Sequence, residues 1–282
     1  MWRANLETYC RDFNIPIEYI TEILNDPKVV PMVRGKAFEF SVLQRLKSLL
    51  PEQDWLVDKP MMNAQFGLHD MDVRVIHRRT RKIIGVECKL AKKGSFRLQT
   101  RGGAKVSVKC MRSRTLGEEK VRELAPILGV PAEVLTVHND QYRKENFDVV
   151  ITSLANAFYE TDRNTMFYEW RPSTVGSEFL QRFNPPRDID IKTFAFNLMY
   201  IAKADELSIT RANGVVCTRR RCNNKEECEF IPNYPIINFD NTLTVPRPDH
   251  RWTPIEQAER LFTSMLNNPG LKTYAGALKL HG

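Results

Sequence analysis

MDVRVIHRRTRKIIGVECKL, residues 71–90, holds two apolar runs separated by a basic turn. Val73, Val75 and Ile76, then Ile83, Ile84, Val86 and Leu90, have the β-branched content and short length of strands. The RRTRK stretch at 78–82 joins them. Side chains two apart on a strand point the same way, so Glu87 and Lys89 leave the second strand together, a carboxylate beside an ammonium. The tripeptide D/E-x-K also occurs at Asp26/Lys28, Glu118/Lys120 and Asp190/Lys192, so this spacing alone does not separate a site from a surface ion pair. Asp72, fifteen residues before Glu87, heads the first strand. Two antiparallel neighbours joined by a short turn bring such residues to one end, where two carboxylates can share a divalent cation.

Upstream, MVRGKAFEFSVLQRLKSLL at 32–50 is an amphipathic helix with Phe38, Val42 and Leu46 on one face, stopped by Pro51. Glu39 lies on this helix, and Gly35 one turn earlier would allow close packing on a sheet. Residues 3–25 also have helical spacing, broken at Pro16. Downstream of a short DWLV segment and the hairpin, KVSVKCMR (105–112) alternates as a third strand. LGEEKVRELAPIL (116–128) forms a helix, and FDVVITSL (147–154) a buried fourth strand. This order predicts an α/β (α+β) fold with a central mixed β-sheet flanked by helices.

Beyond about residue 160 the periodicity weakens into Pro- and Arg-rich stretches. TPIEQAERLFTSMLNN (253–268) follows as a final helix, opened by Thr253 with Pro254 at its first position. Residues 1–160 are therefore expected to be a core with N-terminal helices and 161–282 a C-terminal elaboration for recognition or dimerisation, without a sharp boundary. Asp190 and Lys192 lie in PPRDIDIK, which also alternates like a strand but has no paired aspartate strand. Phe158, Tyr159, Phe167, Tyr168 and Trp170 are expected in the core.

Of the 282 residues, 42% are hydrophobic and 27% charged, a soluble globular composition, and the net charge of +8 suits a polyanionic partner. No apolar run approaches the ~20 residues of a membrane span, and Met1-Trp2-Arg3 starts no signal peptide. A cytoplasmic protein is expected. The six cysteines do not form the pattern of a secreted disulfide framework. Three of them, Cys217, Cys222 and Cys228, cluster in CTRRRCNNKEEC at intervals of four and five residues. Zinc pairs are usually tighter and have a clear fourth ligand, whereas His250 is distant. A Cys-containing loop is the preferred reading and a zinc site the alternative.

RGKAFEFSVLQRL, HDMDVRV and GVECKL together resemble the PD-(D/E)xK nucleases, most closely the type II restriction endonucleases, over roughly residues 34–90. A looser likeness runs through KVSVKCMRSRTLG and NFDVVITSL to about 154. The resemblance implies a restriction-endonuclease-like core and Mg2+-dependent hydrolysis of double-stranded DNA at a specific sequence, with Mn2+ as a substitute ion. It places Asp72 and Glu87 as metal-binding acids, Lys89 beside the nucleophilic water and Glu39 as the accessory helix acid. Met71 stands where the family has Pro, and Asp70 rivals Asp72; Asp72 is preferred because Val73 and Val75 continue it as a strand.

Lys92, Lys93, Arg97 and Arg101 then follow the E-x-K strand in a Gly-containing loop suited to backbone phosphates. Arg112 and Arg114, with Arg219, Arg220 and Arg221, are candidates for guanine edges or further phosphates. A palindromic site would call for a homodimer. The alternatives are a repair or structure-specific nuclease on the same core and an inactive DNA-binding module.

Overall fold

Short strands buried on both faces build the centre of the molecule. A computed structural model describes residues 1–60, 71–100 and 102–275. Its strands are β1 Trp55–Asp58, β2 Val73–His77, β3 Ile83–Cys88, β4 Arg97–Leu98, β5 Gly103–Ser107 and β6 Val149–Ser153. Then come β7 Tyr159–Thr161, β8 Tyr168–Trp170, β9 Met199–Lys203, β10 Ile236–Asp240, β11 Arg247–Pro248 and β12 Thr253–Pro254. The helices are α1 Trp2–Asp12, α2 Ile20–Asn25, α3 Val30–Leu49, α4 Glu118–Leu128, α5 Ala132–Val137, α6 Thr174–Gln181, α7 Ile191–Asn197, α8 Ala204–Leu207 and α9 Ala258–Met265.

Six strands form the central sheet in the order β1-β2-β3-β6-β9-β12. β1, β2 and β3 are successive antiparallel neighbours, β6 runs parallel to β3, and β9 and β12 are again antiparallel. The expected mixed sheet flanked by helices is present.

On one face Phe38, Val42 and Leu46 of α3 pack with Val73, Val75, Ile84, Val86, Val149 and Ile151, and Phe262 of α9 joins them. Each of these apolar side chains contributes about 1.5–3 kcal/mol when fully buried. The opposite face carries Val150, Tyr200 and Ala202 against Ala104, Val106 and Phe239 of a second sheet, ordered β11-β10-β5-β4. The period of two along β6 and β9 thus feeds two cores at once.

Several expectations are corrected. KVSVKCMR does form a strand, but β5 ends at Ser107 and belongs to the second sheet. Thr253 and Pro254 lie one step before the expected helix: they pair with Ile201 and Tyr200 as the outermost strand of the sheet, and Pro254 then caps a 3-10 turn at Ile255–Gln257 that leads into α9 at Ala258. A sheet edge, like a helix start, tolerates a residue with no N–H. A Cβ built on Gly35 meets nothing within 4 Å, so no close approach to the sheet requires that glycine. Among the aromatics, Phe158 is buried, but Phe167 is 43% exposed and Tyr159, Tyr168 and Trp170 are half-buried. Strands β9 and β12 come from beyond residue 160, so the central sheet is built from both sides of the expected division. No helix among the described residues is long and apolar enough to cross a membrane.

Candidate active site

The four D/E-x-K tripeptides separate once folded. Asp26 Oδ1 accepts the Lys28 N–H in a turn. Glu118 stands in the first turn of α4, and Lys120 pairs with Glu123 instead. Asp190 caps α7, its side chain accepting the Thr193 N–H at 3.1 Å, so PPRDIDIK is the entry to a helix and not a strand. An N-cap aspartate satisfies an otherwise orphaned helix donor. Glu87, by contrast, ends a strand and is buried, and its Oε1 lies 2.6 Å from Lys89 Nζ.

The hairpin register pairs Val73 with Val86, so the next step outward carries Asp72 on one strand and Glu87 on the other. Asp72 Oδ2 accepts the backbone N–H of Cys88 at 2.8 Å. The Lys89 N–H in turn donates to Ile151 O at 2.9 Å, extending the bond pattern between β3 and β6 past the end of β3. Asp70 and Arg101 lie outside the described residues. Burial first, then the neighbouring Glu87 and Glu39 carboxylates, push Asp72 up to about 7, against the Cys88 N–H and Lys89, which favour its charged form.

Glu39 reaches this end of the sheet from α3. Its Oε2 accepts from Lys36 Nζ at 2.9 Å and from Lys59 Nζ, and Lys59 also donates to Asp72 O at 3.2 Å. On the other side, the Tyr142 hydroxyl donates to Glu87 Oε1 at 2.9 Å. The Tyr142 ring lies 5.2 Å from Lys89 Nζ and 5.0 Å from the Arg112 guanidinium carbon. Burial alone would lower the Lys89 ammonium, but Glu87, Tyr142 and Asp72 outweigh it and raise it, so Lys89 is charged at neutral pH.

Lys59 and Tyr142 escaped the sequence reading. Neither stands in a pattern: Lys59 follows the short β1, and Tyr142 lies in an irregular stretch between α5 and β6. Only the sheet brings them to the acids.

The basic candidates divide by what holds them. Lys92 is exposed, with Nζ 4.5 Å from the centre of the Tyr234 ring. Lys93 bonds Thr161 Oγ1 and lies 4.5 Å over the Tyr168 ring, while Arg34 covers Tyr159 at 4.1 Å. Arg97 is exposed, with one guanidinium nitrogen on the Gly94 and Phe96 carbonyls. Arg114, Arg220 and Arg221 are also exposed. Arg112 and Arg219 are turned to internal partners: Arg112 bonds Gln141 O and Asn146 Oδ1, and Arg219 bonds Asp140 Oδ1 and Gln141 Oε1. Those donors brace the segment that carries Tyr142.

Asp72, Glu87 and Glu39 stand near enough at the sheet end for their charges to act on one another. Elsewhere, His138, Cys217, Cys222 and Cys228 bring one ligand atom each within 4.8 Å of one another. His250 is exposed and outside that group. No protein-family model, curated protein or solved structure matches the chain.

Proposed function

We propose that the chain is a Mg2+-dependent endodeoxyribonuclease of PD-(D/E)xK type, cutting double-stranded DNA at a specific sequence. The observation that carries this reading is the Cys88 N–H bond to Asp72 Oδ2, which holds one acid of the hairpin against the strand bearing Glu87 and Lys89. A helix, three antiparallel strands and, after further helices, a strand parallel to the third support a restriction-endonuclease-like core.

The acids fit the ion. Asp72, Glu87 and Glu39 offer only oxygen, the ligand type that Mg2+ takes; burial and then the neighbouring carboxylates lift Asp72, and a divalent cation would offset both by favouring its charged form. Asp72 and Glu87 would hold it, with Glu39 an accessory acid because Lys36 and Lys59 already share its Oε2. When bound, Mg2+ supplies charge at the scissile phosphate and makes water more acidic.

The side chains supply the rest. Lys89, steadied by Glu87 and the Tyr142 ring, orients the attacking water and stabilises negative charge developing at phosphorus. Glu87 accepts from Tyr142 and Lys89, which fixes the direction of its carboxylate. Lys92, Lys93 and Arg97 follow directly on this strand and suit backbone phosphates. A homodimer would match a palindromic site.

Incubation with plasmid or phage DNA and Mg2+, followed by sequencing of the ends, tests the reading. Discrete fragments sharing an end sequence support it. Cutting confined to mismatched, branched or nicked DNA would assign the site to repair or structure-specific cleavage. Duplex binding without cleavage in Mg2+ or Mn2+ would leave a DNA-binding module.

A further inference from the structure

Between Leu207 and Ile236 the chain forms no helix or strand, only a bridge between Phe230 and Arg143. A stretch of this length without regular structure needs another source of order. Three cysteines fall within it. Cys217 and Cys222 are buried, Cys228 is half-buried, and all three thiols are free.

His138, at the C-terminal end of α5, completes the group. Its side chain is fully buried, and its Nε2 has no hydrogen-bond partner. The tautomer follows from its neighbours. Gln141 donates from Nε2 to Ile231 O at 2.9 Å, which turns its Oε1 toward His138 Nδ1, 2.6 Å away. Arg219 Nε donates to the same Oε1 at 3.2 Å. An oxygen receiving there can only accept, so Nδ1 carries the proton and Nε2 presents a lone pair. The ring is fixed as well, stacked on Phe230 with centroids 4.2 Å apart and planes 9° from parallel.

A buried acceptor with no donor costs free energy unless something else satisfies it. Here Nε2 and three sulfurs lie within 4.8 Å of one another. A tetrahedron of ~2.3 Å zinc–sulfur bonds has edges of ~3.8 Å, so small side-chain shifts close the set. A backbone N–H already addresses one of the sulfurs: Arg219 N donates to Cys217 Sγ at 3.4 Å. Burial holds the Cys217 and Cys228 thiols above their ordinary range, a cost that binding a cation offsets. Gln141 occupies the place of the outer acceptor that orients a metal-bound histidine.

We infer that His138 Nε2 and the thiolates of Cys217, Cys222 and Cys228 bind one structural Zn2+, clasping the irregular segment to the end of α5. Binding displaces the three thiol protons to solvent and changes no oxidation state. Three soft sulfurs and one imidazole, closed by burial, select Zn2+ among abundant ions and leave no position for substrate. The site shares no residue with the acids at Asp72 and Glu87, so it stands or falls independently of the nuclease reading.

The test is metal analysis of the full-length chain purified without chelator. One equivalent of zinc is expected, released when a mercurial titrates the thiols. Replacement by Co2+ should give sulfur-to-metal charge-transfer bands, weakened in Cys228→Ser, the least buried ligand. His138→Ala should lower zinc affinity at least tenfold, and Gln141→Leu by about 10- to 100-fold. If the ligand variants fail to fold, stripping zinc from the unaltered chain still applies, and its melting temperature should fall. A folded chain without zinc and without tight Co2+ binding overturns the inference. So does a disulfide among these cysteines, an iron–sulfur cluster, or zinc retained in full by both His138→Ala and Cys228→Ser.

Discussion

The Cys88 N–H donates to Asp72 Oδ2 over 2.8 Å, joining the head of β2 to the end of β3. This bond holds Asp72 in place while burial and two neighbouring carboxylates resist its ionisation. The backbone thus fixes the position of an acid whose charged form is disfavoured.

Lys89→Ala should keep the fold and specific DNA binding but cleave about 10²- to 10³-fold more slowly, the usual cost of losing one preorganised donor at developing charge. Single-turnover cleavage with enzyme in excess measures this, with Lys192→Ala as control. Lys192 is exposed beside the cap of α7 and should cut normally. The reverse pattern would move the active site to Asp190 and Lys192.

The elevated Asp72 has a consequence for stability. Its carboxyl rises from an ordinary 3.8 to about 7 on folding, so between those values the native state binds more protons than the unfolded one. Its contribution is therefore complete below the lower value and is lost as pH rises through about 7. In Mg2+-free buffer, Asp72→Asn, which keeps an acceptor for Cys88, should melt several degrees above the parent at about pH 8. The difference should shrink toward pH 5. A gap independent of pH would contradict the raised value.

DNA affinity should fall steeply with salt, because each neutralised phosphate releases counterions. Lys92→Ala and Arg97→Ala should each reduce the log–log salt slope by about one. Arg112→Ala should instead lower stability, since its donors serve Gln141 and Asn146. Filter binding across a salt series, paired with thermal melts, separates the two groups. Equal slope changes at Arg112 and Lys92 would show that the internal bonds open on binding.

Asp148 ties β3 to the entry of β6: its Oδ2 accepts the Gly85 N–H at 2.7 Å, and its own N–H donates to Gly85 O at 2.9 Å. Gly85 is buried. Asp148→Ala should cost about 1–3 kcal/mol by leaving that N–H without an acceptor, and Asp148→Asn should recover much of it. Urea unfolding of both variants checks this; equal losses would mean the side-chain bond contributes little.

The hairpin was legible because both signals it needs are local: two short apolar runs that become β2 and β3, and a turn of five residues between them. Glu39 was legible through the helical spacing of Phe38, Val42 and Leu46. Other features depend on distance. β9 is five residues, MYIAK, four of them apolar, whose strand character comes from pairing on both sides with β6 and β12. DIDIKTF alternates like a strand, yet the local bond from Thr193 to Asp190 wins and starts a helix. Lys59, Tyr142 and His138 carry no spacing to Glu39, Glu87 or Cys217 that a linear pattern could reveal. They meet those residues only through packing.

The same separation in sequence sets an order of assembly. Asp72 and Cys88 are 16 residues apart, Glu39 and Lys59 are 20 apart, and Glu87 and Tyr142 are 55 apart. Closing the longest of these loops costs about 1 kcal/mol more entropy than closing the shortest, and it also waits for β6 to dock alongside β3. The hairpin that positions Asp72 can thus form as an early, local event in folding. Tyr142 reaches Glu87 only once the chain between β3 and β6 has been drawn in.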